Sequence, residues 1–177
     1  MIDHLVWGES LTWPELQGRE RRVSLEAPDS ARGEIGRSLD LSGLSSLSAA
    51  LTLRPWLDGV AIDGRVSGVA ARVCGLTLDP FEEVVNETFR LRIVPHGSPN
   101  APTAEGGEVV IDLDAEDPPE EAEGPTVDLS AYVVEAFALA LDPFPRKPGA
   151  VFVAPEEPVI ISPFAALKGL AERPKRP

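Results

Sequence analysis

The fold is decided by residues 44–94, which read LSSLSAALTLRPWLDGVAIDGRVSGVAARVCGLTLDPFEEVVNETFRLRIV. At the start of this stretch small polar residues alternate with apolar ones, which are Leu47, Ala49, Leu51 and Leu53. A period of two is typical of a strand with one buried face. The strand should end at Pro55, and Asp58-Gly59 supplies the turn that follows it.

The same period continues beyond the turn. Val60, Ile62 and Val66 share one parity, and the pattern runs on to Val73. Glycines inside a strand often mark bulges or bends, so Gly64 and Gly68 predict either two strands or one long bent strand. Residues 84–94 alternate again, with Arg90 and Arg92 on the face opposite the apolar residues. Strands with one polar face favour antiparallel pairing.

Outside this stretch, the sequence predicts one more strand and two helices. Residues 21–26 alternate like a strand, and Pro28-Asp29-Ser30 can begin a short helix that Gly33 and Gly36 weaken. Asp128 can cap a helix from Leu129 to Leu141 that is apolar on nearly all sides and should be buried. The predicted fold class is α+β: a curved antiparallel sheet, with a half-open barrel as one form it can take, against one buried helix with short additional helices.

The length of 177 residues fits one domain. We expect a single α+β domain over residues 1–161, with flexible loops near 95–107 and 114–125 and a short strand at residues 109–113. Residues 162–177 should form a short helix, started by Ser162-Pro163, and a basic C-terminal tail.

Composition points to a soluble protein of a reducing compartment. No run of residues is apolar for long enough to cross a membrane, and the N-terminus lacks the pattern of a signal peptide, so the cytoplasm is expected. A single cysteine, Cys74, excludes an intramolecular disulfide and a zinc site built from cysteine pairs.

Charge is distributed unevenly along the chain. The net charge of -13 argues against a protein that coats nucleic acid nonspecifically, because phosphate binding depends on lysine and arginine. Acidic residues are dense from Glu105 to Glu123. The proline-interrupted acidic run from Asp114 to Pro125 reads as a solvated linker, with mimicry of RNA as the weaker alternative.

The residues that usually carry catalysis are scarce. His4 and His96 lie far apart in the sequence, and no phosphate-binding glycine motif occurs. We therefore predict no enzymatic activity, no cofactor, no metal site and no small-molecule substrate. The alternative from another class is a magnesium-dependent RNA-processing enzyme, which would need at least three carboxylates directed into one cleft.

Three stretches resemble a known family. They are ARVCGLTLDPF at residues 71–81, VDLSAYVVEAFALALDPFPRKPG at residues 127–149 and SPFAALK at residues 162–168. In this order they resemble the YceD family of large ribosomal RNA subunit accumulation proteins, and in particular its alphaproteobacterial branch. The residues that carry the resemblance to the family motif are Cys74, Leu78, Asp79, Pro80 and Phe81.

The resemblance implies a bacterial factor of ribosome biogenesis, needed for accumulation of large-subunit ribosomal RNA, with no enzymatic activity. Many members have C-x-x-C before this motif and further cysteines after the late helix, a pattern suited to zinc. In this chain Cys74 matches the first cysteine, Thr77 occupies the second position, and the later cysteines are absent. Cys74 is then expected to be a small buried residue.

Basic residues cluster late in the chain and are the candidates for binding ribosomal RNA or a pre-ribosomal particle, directly or through a basic ribosomal protein. The candidate residues are Arg146, Lys147, Phe164, Leu167, Lys168, Arg173, Lys175 and Arg176. Two alternatives stay open: Arg146 and Lys147 can simply favour the negative end of the helix dipole, and the tail can be a frayed terminus. A protein-binding adaptor that never touches RNA is a further alternative.

Overall fold

A computed structural model describes residue 7, residues 10–102 and residues 117–152. The chain forms, in order, β1 (Ser10–Thr12), α1 (Trp13–Leu16), β2 (Arg21–Glu26), α2 (Asp29–Ser38), β3 (Gly43–Trp56), β4 (Gly59–Val73), β5 (Pro80–Pro95), β6 (Glu120–Ala122), β7 (Thr126–Asp128) and α3 (Leu129–Ala140). This content confirms the α+β class. None of the helices among these residues is both long and apolar enough to span a membrane.

The main sheet has five strands in the order β2-β3-β4-β5-β6. The first four are antiparallel to their neighbours, whereas β6 runs parallel to β5. The predicted antiparallel pairing is therefore confirmed for β2 to β5, and the parallel strand β6 is an addition to the predicted sheet. The edges β2 and β6 do not pair, so the sheet is not a closed barrel, and β1 pairs with β7 in a separate antiparallel sheet.

The predicted strands of the central stretch are confirmed, but the two glycines have a different role from the expected one. The segment after the turn is a single strand, and the register shift in its pairing lies between Leu44 and Ser46 of β3. Gly64 and Gly68 instead make room for aromatic rings. A β-carbon at Gly68 would lie 2.7 Å from Cε2 of Phe137 and 2.8 Å from the carbonyl oxygen of Ser46.

Helix α3 is the main element packed on the sheet. Its N-terminus is capped as predicted, since the backbone N–H of Ser130 donates to the Asp128 carboxylate at 2.9 Å. Phe137 is fully buried, but Leu139 is 81% exposed, so the helix buries one side and not its whole circumference. The side chains that fill the core come mainly from the inward face of the sheet, from α2 and from α3.

The acidic run contains an element that was not predicted from the sequence. Residues 120–122 form β6 on the edge of the sheet, where Glu120 pairs with Ile93. The expectation of a solvated linker is corrected for these three residues. The predicted strand at 109–113, the helix at 162–168 and the basic tail lie outside the described residues.

Candidate functional site

The family motif lies in the connection between β4 and β5. The backbone N–H of Cys74 donates to the Asp79 carbonyl, and the N–H of Leu78 donates to the Cys74 carbonyl, both at 2.9 Å. Leu78 has a φ of 60°, in the left-handed region that residues with a β-carbon seldom adopt. Its side chain is 76% exposed. The connection is therefore a tight loop that presents Leu78 to solvent.

The chain after α3 packs against this loop. The N–H of Gly75 donates to the carbonyl of Pro145 at 2.8 Å, and Nζ of Lys147 lies 3.4 Å from Oδ2 of Asp79. We call residues 74–81 and 142–152 together the motif surface. The tertiary structure thus joins the family motif to the late basic cluster, a contact that was not predicted from the sequence.

A partly buried ion pair between β4 and β5 binds the chain after α3 to the sheet, next to the motif surface. Nη1 of Arg72 lies 3.1 Å from Oε2 of Glu83, and these side chains are only 14% and 16% exposed. Arg72 also donates to the Asp142 carbonyl at 3.0 Å, and the N–H of Asp142 donates to Glu83 at 2.8 Å. Charge-assisted hydrogen bonds that are shielded from water are stronger than neutral ones, so this group fixes the end of α3 to the sheet.

The roles of Arg72, Glu83 and Asp142 were not predicted from the sequence, although a repeated motif that contains Asp142 was present. The tetrapeptide Leu-Asp-Pro-Phe occurs twice, at residues 78–81 and 141–144. Both copies contribute to the motif surface. Repetition of a short motif does not by itself predict contact, because any two loops of the chain can carry similar residues.

Cys74 is fully buried, which confirms that expectation. A hydrogen bond from the Thr77 side chain, with a second from the backbone of Lys147, lowers the pKa of Cys74 from its ordinary value of 9.0 to about 7. Thr77, three residues after Cys74, thus stabilises the thiolate. One thiol and its hydrogen-bond donors do not make a zinc site.

No metal-binding group was found in the part of the chain that the structure describes, where a group means at least three His, Cys, Asp or Glu side chains. His96 is exposed and its Nδ1 lies 2.9 Å from Oε1 of Glu121, while His4 lies outside the described residues.

The predicted binding residues are only partly described. Arg146 and Lys147 are exposed on the motif surface, and Pro80 and Phe81, which belong to it, begin β5. Phe164, Leu167, Lys168, Arg173, Lys175 and Arg176 lie outside the described residues.

Large apolar side chains are exposed on the motif surface. They are Leu78 at 76%, Phe144 at 77%, Val151 at 73% and Phe152 at 66%. Exposed apolar side chains on segments that contact each other are typical of sites of macromolecular contact. The same segments carry two exposed cations, Arg146 and Lys147, and two exposed carboxylates, Asp79 and Asp142, and Lys147 is paired with Asp79.

Comparison with known proteins gives one match. A family model described as large ribosomal RNA subunit accumulation protein YceD matches residues 62–171, which is more than half of the chain. No match was found among curated proteins or among solved structures. The matched residues include the whole motif surface, β5 and α3. The chain therefore belongs to the YceD family, whose description ties it to the accumulation of large-subunit ribosomal RNA.

Proposed function

We propose that this protein is a non-catalytic factor of ribosome biogenesis that supports accumulation of large-subunit ribosomal RNA by binding pre-ribosomal particles in the cytoplasm. Its contact is the motif surface, and its partner there is ribosomal RNA or a protein that is bound to that RNA. Membership of the family supports a role in the accumulation of large-subunit ribosomal RNA. It also supports a non-catalytic role, since this is not a known enzyme family.

The observation that supports the binding role is the exposure of Leu78, Phe144 and Phe152 within residues 74–81 and 142–152, two segments that are hydrogen-bonded to each other and that also carry Arg146 and Lys147. A soluble protein gains nothing for its own folding from large apolar side chains held in water. In addition, the left-handed backbone of Leu78 is a strained conformation, and strain of this kind is concentrated at functional sites.

The tail extends this proposal. Phe164 and Leu167 are three residues apart, a spacing that puts both on one side of a helix, and Lys168, Arg173, Lys175 and Arg176 surround or follow them. Such a segment would bind a groove through its apolar side, while its cations add attraction that salt weakens. We propose that it acts together with Arg146 and Lys147.

Co-sedimentation with pre-ribosomal particles tests the proposal. Deletion of the residues after Ile161, and separately Arg146→Gln with Lys147→Gln, should weaken association while leaving the melting temperature nearly unchanged. The matched control is Arg19→Gln with Arg37→Gln, which removes the same charge from the turn before β2 and from α2.

Salt dependence distinguishes the contribution of the tail cations to binding from that of the rest of the protein. Raising the salt concentration should weaken association of the intact protein more than that of the truncated one, because the intact protein has more cations that attract the partner. If both variants co-sediment as well as the intact protein at low and moderate salt, the motif surface and the tail are not the contact.

The magnesium-dependent alternative is not favoured by any specific observation. It needs three or more carboxylates in one cleft, and the described ranges 10–102 and 117–152 contain no such group.

A further inference from the structure

The main sheet has an outward face on the side away from α2 and α3. The pairing register places Arg22, Asp63 and Arg90 in one row across β2, β4 and β5, and Arg65 in the next row. Arg54 and Arg92 share a further row with Ala61. We call the outward side of these rows the arginine face, and its principal residues are Arg22, Arg54, Trp56, Arg65, Arg90 and Arg92.

The arginine face has the opposite charge sign from the protein as a whole. Five of the 16 lysine and arginine residues lie on it, although the net charge is -13. One carboxylate, Asp63, lies within these rows, and Glu20, Glu26 and Glu121 lie at their edges. Cations therefore outnumber carboxylates here, in a protein where the reverse holds overall. A local excess of one sign attracts a partner of the other sign.

Asp63 orients two of the guanidinium groups. Its Oδ1 lies 2.7 Å from Nε of Arg90, and its Oδ2 binds Nη1 of Arg54. These contacts hold the pKa of Asp63 below its usual range, with the Arg90 hydrogen bond as the largest cause. The arginine side chains stay 52% and 72% exposed, for Arg54 and Arg90 respectively. Asp63 thus orients the guanidinium groups of Arg54 and Arg90 before any partner binds, and it leaves both groups exposed to solvent.

Arg65 stands at the middle of the face, between two surface depressions. One is lined by Asp63, Thr88 and Arg90, and the other by the serines Ser24, Ser48 and Ser67 together with Glu26 and small apolar residues. Arg65 donates to Oδ1 of Asn86 at 3.3 Å. Small hydroxyl and amide side chains around an arginine provide hydrogen bonds to phosphate and ribose while letting a chain approach the sheet closely.

An aromatic residue lies beside the same rows. The guanidinium carbon of Arg92 lies 5.0 Å from the centroid of the Trp56 ring. Proteins bind single-stranded nucleic acid with such planar groups next to a positively charged surface, because bases stack on aromatic rings and on guanidinium planes.

We propose that the arginine face binds single-stranded RNA. The backbone phosphates would lie along Arg22, Arg65 and Arg90, and a base would stack at Trp56 and Arg92. A protein partner fits less well, since protein interfaces have an apolar centre and Trp56 is the one large aromatic side chain in these rows. This inference rests on the proposed function, because it names the RNA contact of a ribosome biogenesis factor.

The test uses the full chain and two single variants of equal charge change. Arg65→Gln removes one cation from the face, and Arg37→Gln removes one from α2; each side chain makes a hydrogen bond to a neighbouring group. Binding of fluorescent single-stranded oligouridine is followed by anisotropy over a range of salt concentrations. Arg65→Gln should weaken binding and lower the slope of log affinity against log salt by about 0.7 for each phosphate that is no longer neutralised. Arg37→Gln should change neither.

Crosslinking supplies a second readout that does not depend on a variant. Ultraviolet crosslinking of the intact protein to the same RNA should yield modified peptides from β3, β4 and β5, with Trp56 among the modified residues.

Trp56→Leu should lower affinity by about fivefold or more, in line with the loss of one stacked base. Circular dichroism melting of each variant identifies any loss of affinity that comes from unfolding.

Four outcomes have different meanings. Equal binding by Arg65→Gln and Arg37→Gln overturns the inference, and so does crosslinking confined to other elements. If the intact protein co-sediments with pre-ribosomal particles but binds no oligouridine at low salt, the inference fails and the proposed function stands. If it does not associate with the particles at all, the proposed function fails.

Discussion

The phenyl ring of Phe89 occupies the space above Gly64 on the neighbouring strand, where a β-carbon would come within 2.3 Å of Cζ. The two residues are direct partners in the β4–β5 register. All three of the atoms nearest to such a β-carbon belong to the Phe89 ring. The ring, and not the backbone, therefore limits the size of the side chain at position 64.

Gly64→Ala should therefore destabilise the protein only while Phe89 is present. In the Phe89→Ala background the same substitution should be neutral or stabilising by about 0.5–1 kcal/mol, because alanine loses less backbone entropy than glycine in a strand. A double-mutant cycle in denaturant measures this. Equal costs in both backgrounds would show that the ring does not set the requirement for glycine.

Phe137→Ala should cost about 3–5 kcal/mol, since it removes a fully buried ring and leaves a cavity beneath the sheet. Glu120→Ala is the comparison, and it should change the free energy of unfolding by less than about 0.5 kcal/mol, because the side chain is exposed and the pairing of β6 uses only the backbone. Similar midpoints for the two variants in urea would contradict this placement of the core.

The two ion pairs near the motif surface should differ in strength. Arg72→Met should cost about 1.5–3 kcal/mol, because it leaves Glu83 without its charged partner in a half-buried position and removes the bond to Asp142. Lys147→Met breaks only the exposed pair with Asp79 and should cost less than about 1 kcal/mol. Thermal unfolding of the two variants compares them, and a larger loss for Lys147→Met would be the opposite of what the burial implies.

Thr77→Val should raise the pKa of Cys74 above its present value of about 7, because the hydroxyl hydrogen bond is the largest cause of the lowering. Absorbance of the thiolate at increasing pH gives the pKa directly. A thiol whose pKa is lowered by folding adds stability above its unfolded pKa, and this contribution is lost as pH falls through the folded value. The free energy of unfolding should therefore rise between about pH 7 and 9 in the natural protein and rise less in the variant. An unchanged pKa in Thr77→Val would refute the role of the hydroxyl.

Chelation should leave the melting curve unmoved, because Cys74 has no cysteine or histidine ligand near it in the sequence. Differential scanning calorimetry with and without a chelator makes the measurement. A stoichiometric zinc ion in the purified protein, with a loss of stability on its removal, would contradict the prediction.

The amino-acid sequence by itself determined the strands from residue 21 to residue 94, the helices α2 and α3 and the family. Alternation of apolar and polar residues is a local property, and it is strong in long strands such as β3 and β4. The cap at Asp128 is local as well, since the groups it joins are two residues apart.

Tertiary structure alone decided the rest. Strand β6 is three residues long, too short for any period to show, and its direction depends on where the chain returns to β5. The contact between Asp79 and Lys147 joins residues 68 positions apart. The arginine face depends on register: Arg22, Arg65 and Arg90 lie on three different strands, and a shift of one residue in any pairing would turn one of them to the core side. Sequence periodicity shows which residues of one strand share a face, but only the packed core fixes how neighbouring strands align, because that alignment is selected by the burial of all their apolar side chains together.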